Sequence, residues 1–217
     1  MKKYIILIPI YNDRESLTKL IENINSEIEG INSEISIIVI NDASSQQIIE
    51  EYQNTKNINS IEIINMKENR GHARCIASGL KYIFEKKEFD YVIPMDGDGE
   101  DRPEEIKNFI RLSEQSNNQS IVGERVKRSE SIFFKFCYQA HKILTLSFTG
   151  QQIKFGNFVC LSKLTIEKML KEKATWNSFS GSLKKTETNL LSIPSIRGTR
   201  YFGPSKMSFI NLLKHSL

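Results

Sequence analysis

The sequence predicts an α/β fold in which a mostly parallel sheet is flanked by helices on both faces. In the first 123 residues, short apolar runs alternate with segments whose apolar side chains recur at helical spacing. Four of the predicted strands end in polar, largely acidic segments, at residues 9–13, 41–45, 67–71 and 96–100. Because ligands bind such sheets beyond the carboxyl ends of the strands, we expect these segments to form one site.

Strands and helices are distinguished by the spacing of their apolar residues. Short apolar runs between polar residues predict strands, and apolar residues at every third or fourth position predict helices. The predicted strands are residues 4–10, 35–40, 60–65, 90–95 and 120–123, with further extended segments at 155–161 and 190–201. The predicted helices are residues 14–29, 46–54, 70–86 and 163–171, with one more that begins at Pro103, a residue suited to a first turn.

The alternation of strands and helices stops after Gly123. Residues 131–150 are rich in apolar and aromatic side chains and contain no carboxylate. This composition is typical of a core helix, which we favour, but it would also suit an interfacial helix or a groove for a lipid acceptor. No repeat or linker divides the chain, so we expect a single domain over residues 1–217.

Charge is distributed unevenly over the 217 residues, whose formal net charge is +4. Residues 1–111 hold 14 Lys and Arg against 20 Asp and Glu, whereas residues 112–217 hold 16 against 6. An acidic half that holds a metal and a basic half that meets an anion would explain this division, and so would solvated surface lysines. The basic residues are scattered and form no recognisable nucleic-acid-binding motif, so we expect no nucleic-acid partner.

Cysteine usage and hydropathy bear on the compartment. Cys75, Cys137 and Cys160 are odd in number and widely spaced, which favours reduced thiols in the cytoplasm. No segment approaches the roughly 20 apolar residues that a transmembrane helix needs, so we expect the chain as given not to cross a bilayer. The three histidines have no spacing that suits a shared metal, and we assign them no role.

The segment from Tyr91 to Glu105 carries the strongest chemical signal. An apolar strand leads directly into Asp96, Asp98 and Glu100, and a helix that starts with proline follows. Alternating carboxylates at a strand end offer the hard oxygen ligands that Mg²⁺ and Mn²⁺ prefer, and a diphosphate would supply the remaining ligands. A metal held in this way neutralises charge on a departing nucleotide. We therefore predict a metal-assisted transferase that acts on a nucleoside-diphosphate compound.

Four motifs, in order, resemble those of the family 2 glycosyltransferases with the GT-A fold. They are IPIYND at 8–13, VINDAS at 39–44, NRG at 69–71 and DGD at 96–98, and the resemblance covers residues 4–125. Within that family, the segment from Asp96 to Glu104 is most similar to the polyprenyl-phosphate glycosyltransferases related to dolichol-phosphate-mannose synthase. Residues 122–125 and 200–206 extend this resemblance into the basic half.

The resemblance implies a role for each matched residue. Asp96 would contact the ribose or a bound Mg²⁺ or Mn²⁺, and Asp98 and Glu100 would complete the ligands of that metal. Asp42 would accept a hydrogen bond from the imide of the nucleobase. The residues expected to contact the donor nucleotide are Pro9, Tyr11, Asp13, Asp42, Asp96 and Gly97. The residues expected to act in the transfer, through the metal or the phosphates, are Asp98, Arg125, Arg200 and Lys206.

The reaction that the resemblance implies is sugar transfer with inversion from a nucleoside-diphosphate sugar. Uridine is the favoured base because it is the commonest in the family, and guanosine is the next choice. Glu100, Asn41 and Asp13 stand where the family commonly has Gln, Asp and Glu, which leaves the base preference open.

The acceptor is predicted from what the basic half lacks. A hydroxyl acceptor needs a general base, and none of the glutamates after residue 111 lies in a recognisable base motif, whereas an ionised phosphate needs no base. A polyprenyl phosphate is therefore favoured. The alternatives are a saccharide hydroxyl in cell-surface polysaccharide assembly and, in another class, a non-catalytic domain that binds nucleotide-sugars.

Related enzymes often continue into membrane helices, which bears on the expected location. We expect a cytoplasmic protein at the inner face of the cell membrane, with surface association through residues 131–148 and 207–217. Residues 1–125 would form the half that binds nucleotide-sugar and metal, and residues 126–217 would form the basic half on the acceptor side.

Overall fold

The computed structural model describes residues 1–48, 52, 55–126 and 154–203. Within these ranges the strands are β1 Lys3–Ile10, β2 Glu34–Asn41, β3 Ser60–Asn65, β4 Tyr91–Pro94, β5 Ile121–Arg125, β6 Phe155–Ser162 and β7 Leu191–Ser195. The α-helices are α1 Arg14–Glu27, α2 His72–Lys86, α3 Ile106–Gln115, α4 Lys163–Lys171 and α5 Phe179–Thr186, and short 3₁₀ turns cover Pro103–Glu105 and Lys173–Trp176.

The described strands form one seven-stranded sheet with the order β3-β2-β1-β4-β6-β5-β7. Strands β1 to β4 pair in parallel, and β7 pairs in parallel with β5, whereas β6 runs antiparallel to both of its neighbours. The prediction of a mostly parallel sheet is confirmed. Because β6 is reversed, its first residues lie at the same edge of the sheet as the carboxyl ends of β1 and β4.

Apolar side chains cover both faces of the sheet. On one face, Leu17 and Ile21 of α1 and Phe109 of α3 join the buried residues of β1 and β2. On the other face, α2, α4 and α5 contribute a second buried cluster that includes Leu80 and Leu183. The predicted helices on both faces are therefore present, and they leave the carboxyl edge of β1–β4 as the place where polar residues meet.

Several predicted elements differ from those in the structure. The extended segment expected over 190–201 ends as a strand at Ser195, because the Ile196 N–H turns away and donates to Glu105 Oε1 at 2.8 Å. Helix α5 was not predicted, since eight residues with two buried apolar side chains show little periodicity. The helix expected over 46–54 and the segment 131–150 lie largely or wholly outside the described residues.

Within the described ranges, none of the helices is both long enough and apolar enough to cross a membrane.

Candidate active site

An acidic turn follows β4 at the carboxyl edge of the sheet. The Asp96 N–H donates to Asp101 Oδ2 at 2.8 Å, and the Glu100 N–H donates to Asp98 Oδ1 at 3.0 Å. Gly99 has φ +89°, a backbone conformation that residues other than glycine rarely adopt. These local contacts hold three carboxylates in five residues and leave each of them partly exposed, at 28%, 20% and 26% for Asp96, Asp98 and Glu100.

A segment that follows β7, residues 196–203, crosses this turn and is called the basic strap below. Arg200 Nη1 donates to Asp98 Oδ2 at 2.8 Å, and Arg200 Nη2 donates to Asp13 Oδ2. Arg197 donates to Glu100 Oε2. The structure thus brings the predicted residues Asp13, Asp98, Glu100 and Arg200 together, although they are separated by up to 187 positions in the chain.

Backbone contacts fix the basic strap independently of its arginines. The Gly198 N–H donates to the Glu100 carbonyl at 2.7 Å, and the Tyr201 N–H donates to the Asp98 carbonyl at 2.9 Å. A Cβ at Gly99 would lie 2.5 Å from the Tyr201 ring, so the strap packs directly on the glycine of the turn. The Tyr201 hydroxyl also accepts a hydrogen bond from Asn23 Nδ2 at 2.8 Å. The strap is therefore one wall of the site.

Crowding of the carboxylates shifts their protonation. Burial and the neighbouring Asp96 raise the pKa of Asp98, against the effect of Arg200. Burial, together with the Asp96 charge, raises the pKa of Asp101 well above its ordinary value. Burial alone would also raise the pKa of Asp96, but the charges of His72, Arg125 and Arg197 outweigh it and hold that pKa low. The turn is a concentration of negative charge that cations stabilise.

His72 lies at this site, although its spacing from the other histidines predicts no role for it. It is the first residue of α2, and its Nε2 lies 3.2 Å from Asp96 Oδ1 and 2.9 Å from the Asn157 side-chain nitrogen in β6. Burial acts to lower the pKa of His72, but the adjacent Asp96 carboxylate outweighs it and raises that pKa. The spacing of histidines along the chain does not reveal a histidine that contacts a carboxylate 24 positions away.

The residues predicted to contact the donor nucleotide lie mainly at the ends of β1 and β2. Both carboxylate oxygens of Asp42 accept backbone hydrogen bonds, from the Arg70 N–H at 2.7 Å and the Gly71 N–H at 2.9 Å. Asp42 therefore joins the end of β2 to the start of α2, and its predicted contact with a nucleobase would use the remaining lone pairs. Gly97 packs on β1, since a Cβ there would lie 3.1 Å from the Pro9 carbonyl oxygen.

The remaining predicted residues are placed less centrally or are not described. Tyr11 lies just after β1 with 43% of its surface exposed. The Arg125 guanidinium lies over Gly156, where a Cβ would be 2.8 Å from Nη2, and its charge contributes to the low pKa of Asp96. Lys206 lies outside the described residues, as do residues 131–148 and 207–217.

The carboxylates of the acidic turn are ligands of the kind that a hard divalent cation prefers, but they do not form a complete coordination shell. Asp96, Asp98 and Glu100 offer partly exposed carboxylates, the ligand type that Mg²⁺ and Mn²⁺ prefer. Among the described residues, no group of three or more His, Cys, Asp or Glu side chains is arranged to hold a metal ion. Basic side chains contact each of the three carboxylates instead. Their assignment as metal ligands stays a prediction, in which a diphosphate supplies the missing ligands.

Comparison with known proteins identifies the class that this fold and site define. The family model of glycosyl transferase family 2 matches residues 5–173. The chain belongs to that family, which confirms the resemblance of the motifs at the strand ends.

One curated relative is the undecaprenyl-phosphate 4-deoxy-4-formamido-L-arabinose transferase of Photorhabdus laumondii subsp. laumondii. The chain is 28% identical to it over 224 aligned positions, which cover 98% of the chain and 65% of the relative. The chain thus spans slightly less than two thirds of this relative's length.

Two solved structures share the fold at low identity. S. aureus TarS 1–349 in complex with UDP-GlcNAc aligns with a TM-score of 0.60 and 16% identity, covering 93% of this chain and 60% of that one. The mannosyltransferase PcManGT from Pyrobaculum calidifontis, in complex with GDP-Man and Mn²⁺, aligns with a TM-score of 0.61 and 14% identity, covering 92% and 58%. These similarities confirm the predicted GT-A fold.

Proposed function

We propose that this protein is a metal-dependent, inverting glycosyltransferase that moves a sugar from a nucleoside-diphosphate sugar to a polyprenyl phosphate. The observation that carries the proposal is the contact between the acidic turn and the basic strap. Asp98 and Glu100, at the end of β4, face Arg200 and Arg197 across the site. Carboxylates that can hold a divalent cation and arginines that can bind phosphate are the two groups that a departing nucleoside diphosphate requires.

The carboxylates would hold Mg²⁺ or Mn²⁺ together with the diphosphate. Asp96, Asp98 and Glu100 would provide the protein ligands, and the ion would neutralise negative charge on the leaving group. A GT-A structure with Mn²⁺ supports a divalent ion, without selecting between Mg²⁺ and Mn²⁺. Pro9, Tyr11, Asp13, Asp42 and Gly97 would line the part of the site that holds the nucleoside.

The arginines would bind the diphosphate in the proposed reaction. Arg200 is only 17% exposed and contacts two carboxylates, so its guanidinium is already oriented toward the acidic turn. A planar guanidinium can bind a diphosphate in a bidentate manner, which an exposed lysine cannot. Arg125, and Lys206 beyond the described residues, are proposed as further phosphate contacts on the acceptor side.

In the transfer step, an oxygen of the acceptor phosphate attacks the anomeric carbon of the donor sugar. The bond from that carbon to the diphosphate oxygen breaks, and its electron pair leaves with the nucleoside diphosphate. Attack from the opposite side inverts the configuration. Because the acceptor phosphate is already ionised, no proton has to be removed, and the arginines stabilise charge as it develops on the leaving group.

A lipid-linked acceptor is favoured by apolar residues at the mouth of the site. Of the large apolar side chains that are exposed in the described ranges, four lie beyond the carboxyl ends of β1, β5 and β7: Tyr11, Val126, Ile196 and Phe202. Exposed apolar side chains next to phosphate-binding arginines suit an amphiphilic phosphate. A relative named for undecaprenyl phosphate adds support. We accordingly propose a protein that acts at the cytoplasmic face of the membrane.

A saccharide hydroxyl is the alternative acceptor, and it would need a general base. The imidazole of His72 is in the site, but its Nε2 faces Asp96 and Asn157 at 3.2 and 2.9 Å rather than open space. This arrangement gives the hydroxyl acceptor no added support.

The direct test is a transfer assay with undecaprenyl phosphate in detergent and a panel of UDP- and GDP-sugars, with Mn²⁺, with Mg²⁺ or with chelator. We expect transfer of sugar to the lipid from one donor class, loss of transfer with chelator, and loss in Asp98→Asn. Transfer to an oligosaccharide but not to the lipid would overturn the acceptor, and full activity in chelator would overturn the metal.

A further inference from the structure

We propose that His72, supported by Asn157, is a positioning residue for Asp96: it holds one carboxylate oxygen inside the protein so that the rest of the group faces the donor site. This inference rests on the proposed function, because it concerns how a predicted metal or ribose contact is oriented.

Asp96 has one oxygen that requires a partner. Its side chain is 28% exposed, yet Oδ1 is fully buried and has no hydrogen-bond partner of good geometry among the described residues. The exposed surface therefore belongs to the other side-chain atoms. A buried carboxylate oxygen without a donor is costly, so a donor that reaches it has a large effect on which way the group points.

His72 Nε2 is the nitrogen in reach of that oxygen, at 3.2 Å. The position of His72 is fixed from behind, because Asp42 accepts hydrogen bonds from the N–H groups of the two residues before it. Gly71, with φ +85°, turns the chain from the segment held by Asp42 into α2. The end of β2 thus places the imidazole over the end of β4.

Asn157 gives the imidazole a second contact. Its side-chain amide lies 2.9 Å from His72 Nε2, near the start of β6, the antiparallel strand that enters the sheet at this edge. Because an Nε2–H that donates to Asp96 has no lone pair to offer, the amide would present its oxygen to that same N–H. Three elements, α2, β4 and β6, therefore converge on one carboxylate oxygen through His72 and Asn157.

The orientation of Asp96 matters only if the remaining oxygen binds something. A hydrogen-bonded carboxylate presents a fixed lone pair to a cation, and loss of such outer contacts weakens metal binding or activity by roughly 10–100-fold. Asp101 holds the backbone of the same residue through the Asp96 N–H at 2.8 Å. Backbone and side chain are thus constrained separately, and His72 controls the side chain.

The test compares His72→Ala, His72→Gln and Asn157→Ala with Lys81→Ala, an exposed control on the same helix that pairs with Glu85. The probe is Mn²⁺ alone, with free Mn²⁺ measured by electron paramagnetic resonance. We expect His72→Ala to weaken Mn²⁺ binding by roughly 10–100-fold and Asn157→Ala to weaken it by a smaller factor. His72→Gln, whose amide N–H can reach the same oxygen, should restore most of the loss. The His72 side chain is 43% exposed, so each variant should still fold, which a thermal unfolding scan checks.

Two outcomes overturn the proposal, and they are distinguishable. If Asp98→Ala abolishes Mn²⁺ binding while His72→Ala binds as well as the control, the proposed function stands and the role of His72 is wrong. A His72→Gln variant as weak as His72→Ala has the same meaning, because a positioning contact tolerates the amide and a direct ligand does not. If Asp96→Ala and Asp98→Ala both bind Mn²⁺ normally, the metal assignment fails and this inference fails with it.

Discussion

Replacing Arg200 with alanine should have opposite effects on metal binding and on nucleotide binding. Arg200 contacts Asp98 at 2.8 Å and also Asp13, so it would compete with a cation for Asp98. Once a donor is bound, the same guanidinium is proposed to contact the diphosphate. One substitution therefore removes a competitor of the metal and a ligand of the nucleotide.

The size of both effects can be worked from the pair. Unit charges 4 Å apart attract by about 4 kcal/mol at an effective dielectric of 20. The side chains of Arg200 and Asp98 are 17% and 20% exposed. Screening and desolvation therefore reduce the net value to about 1–2 kcal/mol. Mn²⁺ should then bind the variant roughly 5–30-fold more tightly. Loss of a charge-assisted hydrogen bond of about 1.5–3 kcal/mol should weaken nucleotide binding by roughly 10–150-fold.

The assay measures Mn²⁺ alone by electron paramagnetic resonance and UDP or GDP binding at saturating Mn²⁺ by calorimetry. Arg111→Ala is the matched control, because Arg111 is exposed on α3 and forms none of the ion pairs with the acidic turn. Arg200→Lys should fall between the two, since it keeps the charge but not the bidentate geometry. If Mn²⁺ binding weakens in Arg200→Ala, the guanidinium does not compete with the metal and the reasoning is refuted.

Three further predictions concern stability. Gly99→Ala should destabilise the protein by about 1–3 kcal/mol and lower its melting temperature accordingly. The reason is that Gly99 has φ +89° and that a Cβ there would lie 2.5 Å from the Tyr201 ring. An unchanged melting temperature would contradict this. Tyr201→Phe keeps that ring but loses the hydrogen bond from Asn23, so chemical denaturation should show a loss of about 1 kcal/mol, and a loss near zero would mean that water replaces it. Burial would raise the pKa of Glu62, but Lys87 and Tyr82 outweigh it and lower that pKa. Glu62→Gln should therefore lose about 0.3–1 kcal/mol at pH 7, and the difference should disappear as the pH falls through the lowered pKa below 4.5; a loss that persists at pH 3 would argue against the ion pair.

The sequence was most informative where one strand or helix could be recognised from its own residues. Strands β1 to β4 and helices α1, α2 and α4 were predicted close to their observed bounds, because each shows a clear apolar run or helical periodicity. The acidic turn was recognisable for the same reason, since Asp96, Asp98 and Glu100 lie close together in the chain. Local patterns are visible without knowledge of the fold.

What could not be predicted depends on contacts between distant segments. Insertion of β6 antiparallel between β4 and β5 leaves no mark on its sequence, and it is this insertion that carries Asn157 to the site. His72 meets Asp96 only because α2 starts beside the end of β4. Arg197 and Arg200 were recognisable as basic residues, but their pairing with particular carboxylates requires the basic strap to cross the turn.

The acidic turn is proposed to bind a nucleoside diphosphate through a divalent cation. Thermal unfolding in the presence of UDP, GDP, CDP, ADP or dTDP, each with Mn²⁺ or with chelator, tests it most directly because ligand binding to the folded state raises the melting temperature. We predict stabilisation by one nucleotide class that requires Mn²⁺ and is lost in Asp98→Asn. Stabilisation that persists in chelator or in Asp98→Asn, or none with any nucleotide, would contradict the claim.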